Sequence, residues 1–181
     1  MVVLAIAGIF YISKSKLDED NFSALSNSSI KSDGLYYDVI SVQDGDTITI
    51  NMMGVSEKIR FIGVDTPETI DPDNPPQCYG QESSNFTKAN LSGKKVRLEA
   101  DPTNQNRDRY DRLLRYVYLQ DGRMWNKELI VNGYGFAYLR YPFNKLTEFK
   151  EAEDNSRNSK IGLWGECSIN VINGVYRTNT L

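Results

Sequence analysis

Ile40-Ser41-Val42-Gln43-Asp44-Gly45-Asp46-Thr47-Ile48-Thr49-Ile50 and, after a short polar turn, Lys58-Ile59-Arg60-Phe61-Ile62-Gly63-Val64-Asp65-Thr66-Pro67-Glu68-Thr69 are the stretch from which the rest of the chain can be read. Each is an apolar alternating run adjoining a tight acidic cluster, Asp44-Gly45-Asp46-Thr47 in the first and Asp65-Thr66-Pro67-Glu68 in the second, with Arg60 between them. Alternation at period two marks half-buried strands. Carboxylates gathered at strand ends beside a cation suggest a hard-metal site that handles phosphate.

Around that stretch, residues 35–42 are β-prone, and residues 47–52 place Ile48, Ile50 and Met52 on one face. Met53-Gly54 opens a turn into a third strand over residues 58–64, so three closely spaced strands form a meander. Residues 70–77 carry Pro72, Pro75 and Pro76 and are predicted to be loop. A helix follows over residues 81–91, ended by Ser92-Gly93. Residues 94–100 alternate again with Val96 and Leu98 inward, residues 101–108 form a polar loop, and residues 113–119 make a fifth strand. A short helix over residues 126–132 has Gly133 as its C′ residue. Residues 134–141 read as extended and aromatic. Leu146, Phe149 and Ala152 mark a third helix ending near Gly162, beyond which Leu163 and Trp164 pack back on the core. The residues after Cys167 read as a loosely held tail. Five strands in a three-plus-two arrangement, with a helix between the third and fourth, predict an α+β fold: a five-stranded OB-fold barrel with three α-helices. Fold alone does not give function.

The domain so defined spans residues 34–167, with a carboxyl tail over 168–181. Residues 17–33 are rich in Ser, Asn and Asp and read as a flexible polar linker. Before it, residues 2–12 are apolar and are followed by Lys14 and Lys16. This run is too short for a standard membrane span, so residues 1–16 read as a signal peptide or membrane anchor. No positive region precedes it and no Ala-x-Ala site follows, which fits a start inside a longer segment. The competing reading is a buried element of the domain. An exported protein is thus expected, secreted or anchored to the outer face of the cell membrane.

The 181-residue chain has a net charge of -3, so any basic footprint for nucleic acid must be local. It contains no histidine, which excludes Ser-His-Asp and Cys-His triads and His-ligated zinc. Cys78 and Cys167, the two cysteines, lack the spacing of a zinc or redox motif. On their own they read either as buried thiols or, in an exported protein, as a disulfide.

Chemistry must therefore rest on carboxylates, Lys, Tyr or Arg. Asp46 and Asp65 are the metal-ligand candidates, because hard cations take carboxylate and carbonyl oxygens. Either acidic cluster alone would be a routine turn signal; it is their recurrence at adjacent strand ends that points to a site. Glu68 could act as general base or orient a water. Arg60 and Arg112 are the phosphate-clamp candidates, since a guanidinium offers paired donors at any working pH. Strict alternation would set Arg60 and Asp65 on opposite faces, so the chain must bend between them, at Gly63. Tyr110, Tyr138 and Tyr141 could stack bases, although ordinary packing explains any one tyrosine.

Three ordered motifs, Asp44-Gly45-Asp46-Thr47, the run from Arg60 to Thr69, and Asp108-Arg109-Tyr110-Asp111-Arg112, resemble the staphylococcal nuclease (thermonuclease) family, with the likeness extending over residues 36–164. The resemblance implies a monomeric, calcium-dependent nuclease with one Ca2+, hydrolysing the 5′ P–O bond of DNA and RNA to leave 3′-phosphate ends. It implies metal binding by Asp46, Asp65 and the Thr66 carbonyl, catalysis by Arg60, Glu68 and Arg112, and substrate contacts by Arg109, Tyr110 and Tyr138. The sequence departs from the best-known member in having Asp111 for a glycine, Arg140 for a second pocket tyrosine, a more acidic domain, and Cys78 and Cys167. The two cysteines are expected to bridge the loop before the first helix to the carboxyl end. Arg60→Ala or Glu68→Ala is expected to fold but to lose most activity. Two rivals stand beside this reading, a non-enzymatic nucleic-acid-binding module and a surface-anchored domain that uses calcium only for stability.

Overall fold

The computed structural model describes residues 34–69 and 75–181. The segments expected over residues 1–33, and much of the proline-rich loop, lie outside the described residues. β1 (Tyr36–Asp44), β2 (Thr47–Met52) and β3 (Val55–Phe61) form the expected antiparallel meander. The β2–β3 turn is tight because Met53 and Gly54 both take positive φ, 54° and 90°, the backbone twist that suits a two-residue hairpin. Alternation sends Ile48, Ile50, Ile59 and Phe61 inward, each at most 1% exposed.

Beyond β3 the chain departs from the expected strand over residues 58–64. It breaks after Phe61, and β4 (Val64–Asp65) leaves the barrel sheet. Gly63, at φ 71°, makes the break. That left-handed conformation is cheap for glycine and costly for other residues. The bend expected between Arg60 and Asp65 is therefore at Gly63, and it ends the strand instead of kinking it.

After helix α1 (Gly80–Leu91), β5 (Lys95–Glu99) pairs with β1 and with β6 (Leu113–Tyr118). β6 lies parallel to β3, which closes the barrel in the order β1-β2-β3-β6-β5. Helix α2 (Trp125–Val131) leads to β7 (Phe136–Ala137), the partner of β4, and then to helix α3 (Leu146–Asn158). Only two residues of the extended segment expected over 134–141 are strand. The three expected helices are joined by a single turn, α4 (Leu163–Glu166), whose Leu163 is fully buried.

The helices cover the barrel through aromatic residues. Phe86 of α1 stacks between Trp125 of α2 and Tyr134, with centroids 5.0 and 4.0 Å away. Phe149 of α3 packs against Tyr116 and Phe143. The fully buried Asn126 ties helix to strands: Val117 N–H donates to its Oδ1 (2.8 Å), and its Nδ2 donates to the carbonyls of Ile62 (2.9 Å) and Arg115 (3.2 Å). This buried amide is satisfied, as a polar group inside a core must be.

The carboxyl end corrects a second expectation. Residues 168–181 are not a loose tail but a hairpin, β8 (Ile169–Ile172) and β9 (Val175–Thr178), turned by Asn173 and Gly174 at φ 51° and 77°. A disulfide joins Cys167, just before the hairpin, to Cys78, just before α1. Cys78 N–H donates to Asn179 O (2.8 Å), Leu181 N–H to Pro76 O (2.9 Å), and Thr178 Oγ1 to Cys78 O (2.8 Å). Tyr176 packs against Phe136 and Trp164. The hairpin is thus anchored by a covalent bond, backbone pairing and aromatic burial together.

Candidate active site

Strand pairing brings the separated motifs to one rim. Thr47, at the start of β2, lies opposite Arg60 in β3, and Phe61 N–H donates to Asp46 O (3.0 Å). Ile59 pairs with Leu113, so Arg112 sits beside the same stretch of β3. The turn at Gly63 then brings Asp65 back toward Arg60. The outcome is one network. Arg60 forms ion pairs with Asp46 and, through Nη2, with Asp65 Oδ1 (2.7 Å). Thr66 N–H donates to Asp46 Oδ2 (3.0 Å), and Thr47 Oγ1 to Asp46 Oδ1 (3.0 Å). Arg112 Nη1 reaches Thr47 Oγ1 (3.4 Å), while its Nε and Nη2 hold Asp108 Oδ2, both at 2.7 Å.

Asp46, Asp65 and Thr66 are all buried. Burial lowers the pKa of the Arg60 guanidinium, but the adjacent Asp46 and Asp65 carboxylates outweigh it and raise the pKa overall. Removing one partner from such a pair strands a buried charge, which costs about 3–5 kcal/mol. Arg60→Ala is therefore a stability lesion as well as a chemical one, contrary to the expectation that it leaves folding intact.

Glu68 does not line the cleft that Arg60 and Arg112 share. The residue is exposed, yet its carboxyl stands close to the other acids of the two clusters. Desolvation first, and the nearby Asp44 and Asp46 next, push its pKa up to about 7. Burial and Asp46 likewise raise Asp44. Glu68 thus lies within electrostatic reach of Asp44, Asp46 and Asp65.

The cleft, about 670 Å³, is lined by Arg60, Arg109, Arg112, Arg140 and Arg177 against two acids, Asp65 and Asp108. A chain of net charge -3 therefore carries a locally basic surface. Tyr110 is 63% exposed, with the guanidiniums of Arg109 and Arg112 4.6 and 5.3 Å from its ring centre. Tyr138 and Tyr141 line the same cleft with ring centres 6.0 Å apart. The Tyr138 N–H donates to Gly63 O (2.9 Å), so the bend that aims Asp65 also seats this tyrosine. Asp111 takes φ 63°, where glycine would be unstrained; aspartate is among the few residues that tolerate it. The loop before Arg112 still closes, with Asp111 N–H donating to Asp108 O (3.1 Å).

A divalent cation fits this donor set in chemistry. Asp46 and Asp65 offer only oxygens, the ligands of a hard cation. They are buried, and a positive group already bridges them. Among the described residues no three acidic, His or Cys side chains converge as a ready cage, so carbonyl and water oxygens would complete the sphere.

One residue of this cluster escaped the sequence reading. Arg177 of β9 forms an ion pair with Asp65 Oδ2, the oxygen that Arg60 leaves open. Its signal was present: Asn173-Gly174 between alternating runs is a strong hairpin cue.

Comparison with known proteins adds an independent line. Residues 58–166 match the family described as Staphylococcal nuclease homologue. The chain is similar to the thermonuclease of Staphylococcus hyicus, 38% identical over 90% of this chain and 95% of that protein. It is similar to the thermonuclease of Staphylococcus intermedius at 38% identity, over 91% of this chain and 95% of that one. An endonuclease of Bacillus subtilis is 35% identical over 68% of this chain and 58% of its own length.

Proposed function

Because the chain belongs to the staphylococcal nuclease family, we propose that it is a nuclease, a calcium-dependent phosphodiesterase that hydrolyses DNA and RNA at the 5′ P–O bond and leaves 3′-phosphate ends. The observation that carries this reading is the network that joins Arg60 to both Asp46 and Asp65 and, through Thr47, to Arg112 in one basic cleft. Asp46, Asp65 and the Thr66 carbonyl would hold calcium, which when bound supplies positive charge to a phosphate oxygen and to the attacking water.

The chain's own residues do the rest. Arg60 and Arg112 pair their guanidinium donors with phosphate oxygens and stabilise the charge that gathers on phosphorus. Glu68 does not line the cleft but lies within electrostatic reach of Asp46 and Asp65, from where it would take or orient the proton of the attacking water. Arg109 and Tyr110 contact a neighbouring phosphate, and Tyr138 supports the adjacent base by stacking. The local positive charge holds the polyanion and makes affinity fall as salt rises. The Cys78–Cys167 disulfide supports an oxidising compartment outside the cytosol.

The test is cleavage of single- and double-stranded DNA and of RNA with calcium, with magnesium and with chelator, together with end-group analysis. Calcium-dependent cleavage is expected, and Glu68→Ala should lose about 10²-fold or more in rate. Arg60→Ala should be both slow and less stable, and calcium should recover more of its melting temperature than it adds to the wild type, because the cation replaces the lost counter-charge. Binding without cleavage would leave a nucleic-acid-binding module; a calcium-raised melting temperature without turnover would leave a structural calcium domain.

A further inference from the structure

Arg177 is the one arginine in the cleft contributed from beyond residue 166, where the family match ends. The hairpin that carries it is fixed by the disulfide, by Thr178 and Asn179 on Cys78, and by Tyr176 against Phe136. Phe136 in turn pairs with Asp65 across β4 and β7. This chain of contacts delivers the Arg177 guanidinium to Asp65 Oδ2, where Nη1 also donates to Tyr176 O (3.0 Å).

Asp65 therefore carries two guanidiniums on one carboxylate, Arg60 on Oδ1 and Arg177 on Oδ2. Arg60 is held by Asp46 as well as by Asp65 and is the more enclosed of the two guanidiniums, whereas Asp65 is the acid that holds Arg177. Arg177 keeps 34% of its side chain exposed, on a cleft that also holds Arg112 and Arg109. Its paired donors match phosphate oxygens. A cation that takes Asp65 competes there with Arg60 and Arg177 alike; Arg177 is the more exposed of the two, has Asp65 as its one acidic partner among the described residues, and is the one released toward the cleft.

We propose that Arg177 is a further phosphate-binding residue for the polynucleotide, brought to the cleft by the carboxyl-terminal hairpin and passed from Asp65 to a substrate phosphate when a divalent cation takes that carboxylate. The proposal rests on the nuclease reading above. It makes cation and polynucleotide cooperative through one side chain, and such coupling must act equally in both directions.

The test measures two affinities in the full chain, for wild type, Arg177→Gln, Arg177→Lys and Arg112→Ala. The first is calcium binding by titration calorimetry without nucleic acid. The second is binding of a single-stranded phosphorothioate oligonucleotide, which resists cleavage, in calcium at several salt concentrations. Arg177→Gln is expected to bind calcium more tightly, by about fivefold or more, because one of the two competitors for Asp65 is gone. It is expected to bind the oligonucleotide about tenfold more weakly, with a salt slope smaller by about 0.7. Arg177→Lys should recover part of the oligonucleotide affinity. A residue that merely propped up the hairpin would weaken both affinities and lower the melting temperature. Unchanged oligonucleotide affinity and salt slope in Arg177→Gln, with Arg112→Ala impaired, would overturn the role of Arg177 alone. If Arg112→Ala also bound normally, the nuclease reading itself would fall.

Discussion

Gly63→Ala tests how the site is assembled. Gly63 stands at φ 71°, and a Cβ there would meet Phe143 Cζ at 2.6 Å, Phe143 Cε2 at 2.7 Å and Phe149 Cδ2 at 2.9 Å. The left-handed backbone costs an L-residue about 1–2 kcal/mol, and forcing a methyl group against two packed rings costs about 1–3 kcal/mol more. Gly54→Ala separates the two costs: Gly54 has φ 90° with nothing within 4 Å of the added atom, so it should show the backbone cost alone. Urea denaturation should therefore place Gly63→Ala about 2–5 kcal/mol below wild type and Gly54→Ala about 1–2 kcal/mol below. The activity consequence is separate. Asp65 follows the bend by two residues, so a shifted Gly63 misplaces it, and cleavage measured well below the melting temperature should fall in Gly63→Ala but not in Gly54→Ala. Equal destabilisation of the two variants, or full activity in Gly63→Ala, would refute the claim that this bend places the carboxylate.

Two further outcomes follow from the anchoring of the carboxyl end and from one buried acid. Replacing Cys78 and Cys167 with serine opens a loop whose ends are 89 residues apart, for which chain entropy gives an upper limit of about 4–5 kcal/mol. A loss of about 2–5 kcal/mol is expected, read by denaturation with and without reductant, and reductant should leave the stability of the double variant unchanged. Glu153 is 3% exposed and accepts the Ala137 N–H at 2.8 Å; burial pushes its pKa up from 4.5 to about 7. The folded state thus holds this proton more tightly than the unfolded chain does, so its contribution to stability is full below about pH 4.5 and is lost as pH rises through 7. Glu153→Gln keeps the acceptor and removes the ionisation, so the melting temperature of the variant should gain on wild type from pH 5 to 8; a constant gap would show that this burial does not govern the slope.

The barrel and most of the site were legible because both are local patterns. Alternation in residues 47–52 and around Arg60 needs only period-two chemistry, and the acidic clusters adjoin those strands. The exit from β3 was only half legible: Gly63 could be identified as the bend, but not that β4 would leave the barrel for Phe136–Ala137, a partner more than seventy residues away. The hairpin of residues 169–178 was written in Asn173-Gly174 and its flanking alternation; reading it as a tail overlooked a local turn signal.

Residue types and spacing by themselves determined that five barrel strands would form here, that a candidate site would be built from oxygen and guanidinium groups without histidine, and that Asp46, Asp65, Arg60 and Arg112 were its candidate members. Only tertiary structure decided the charge balance among them. Arg60 is held between two buried aspartates, so it supports the fold, and Arg177 crosses 112 residues of sequence to share Asp65. Local sequence sets which conformations a strand or turn prefers; which charges meet depends on how separate elements dock, through burial and pairing that no short stretch contains.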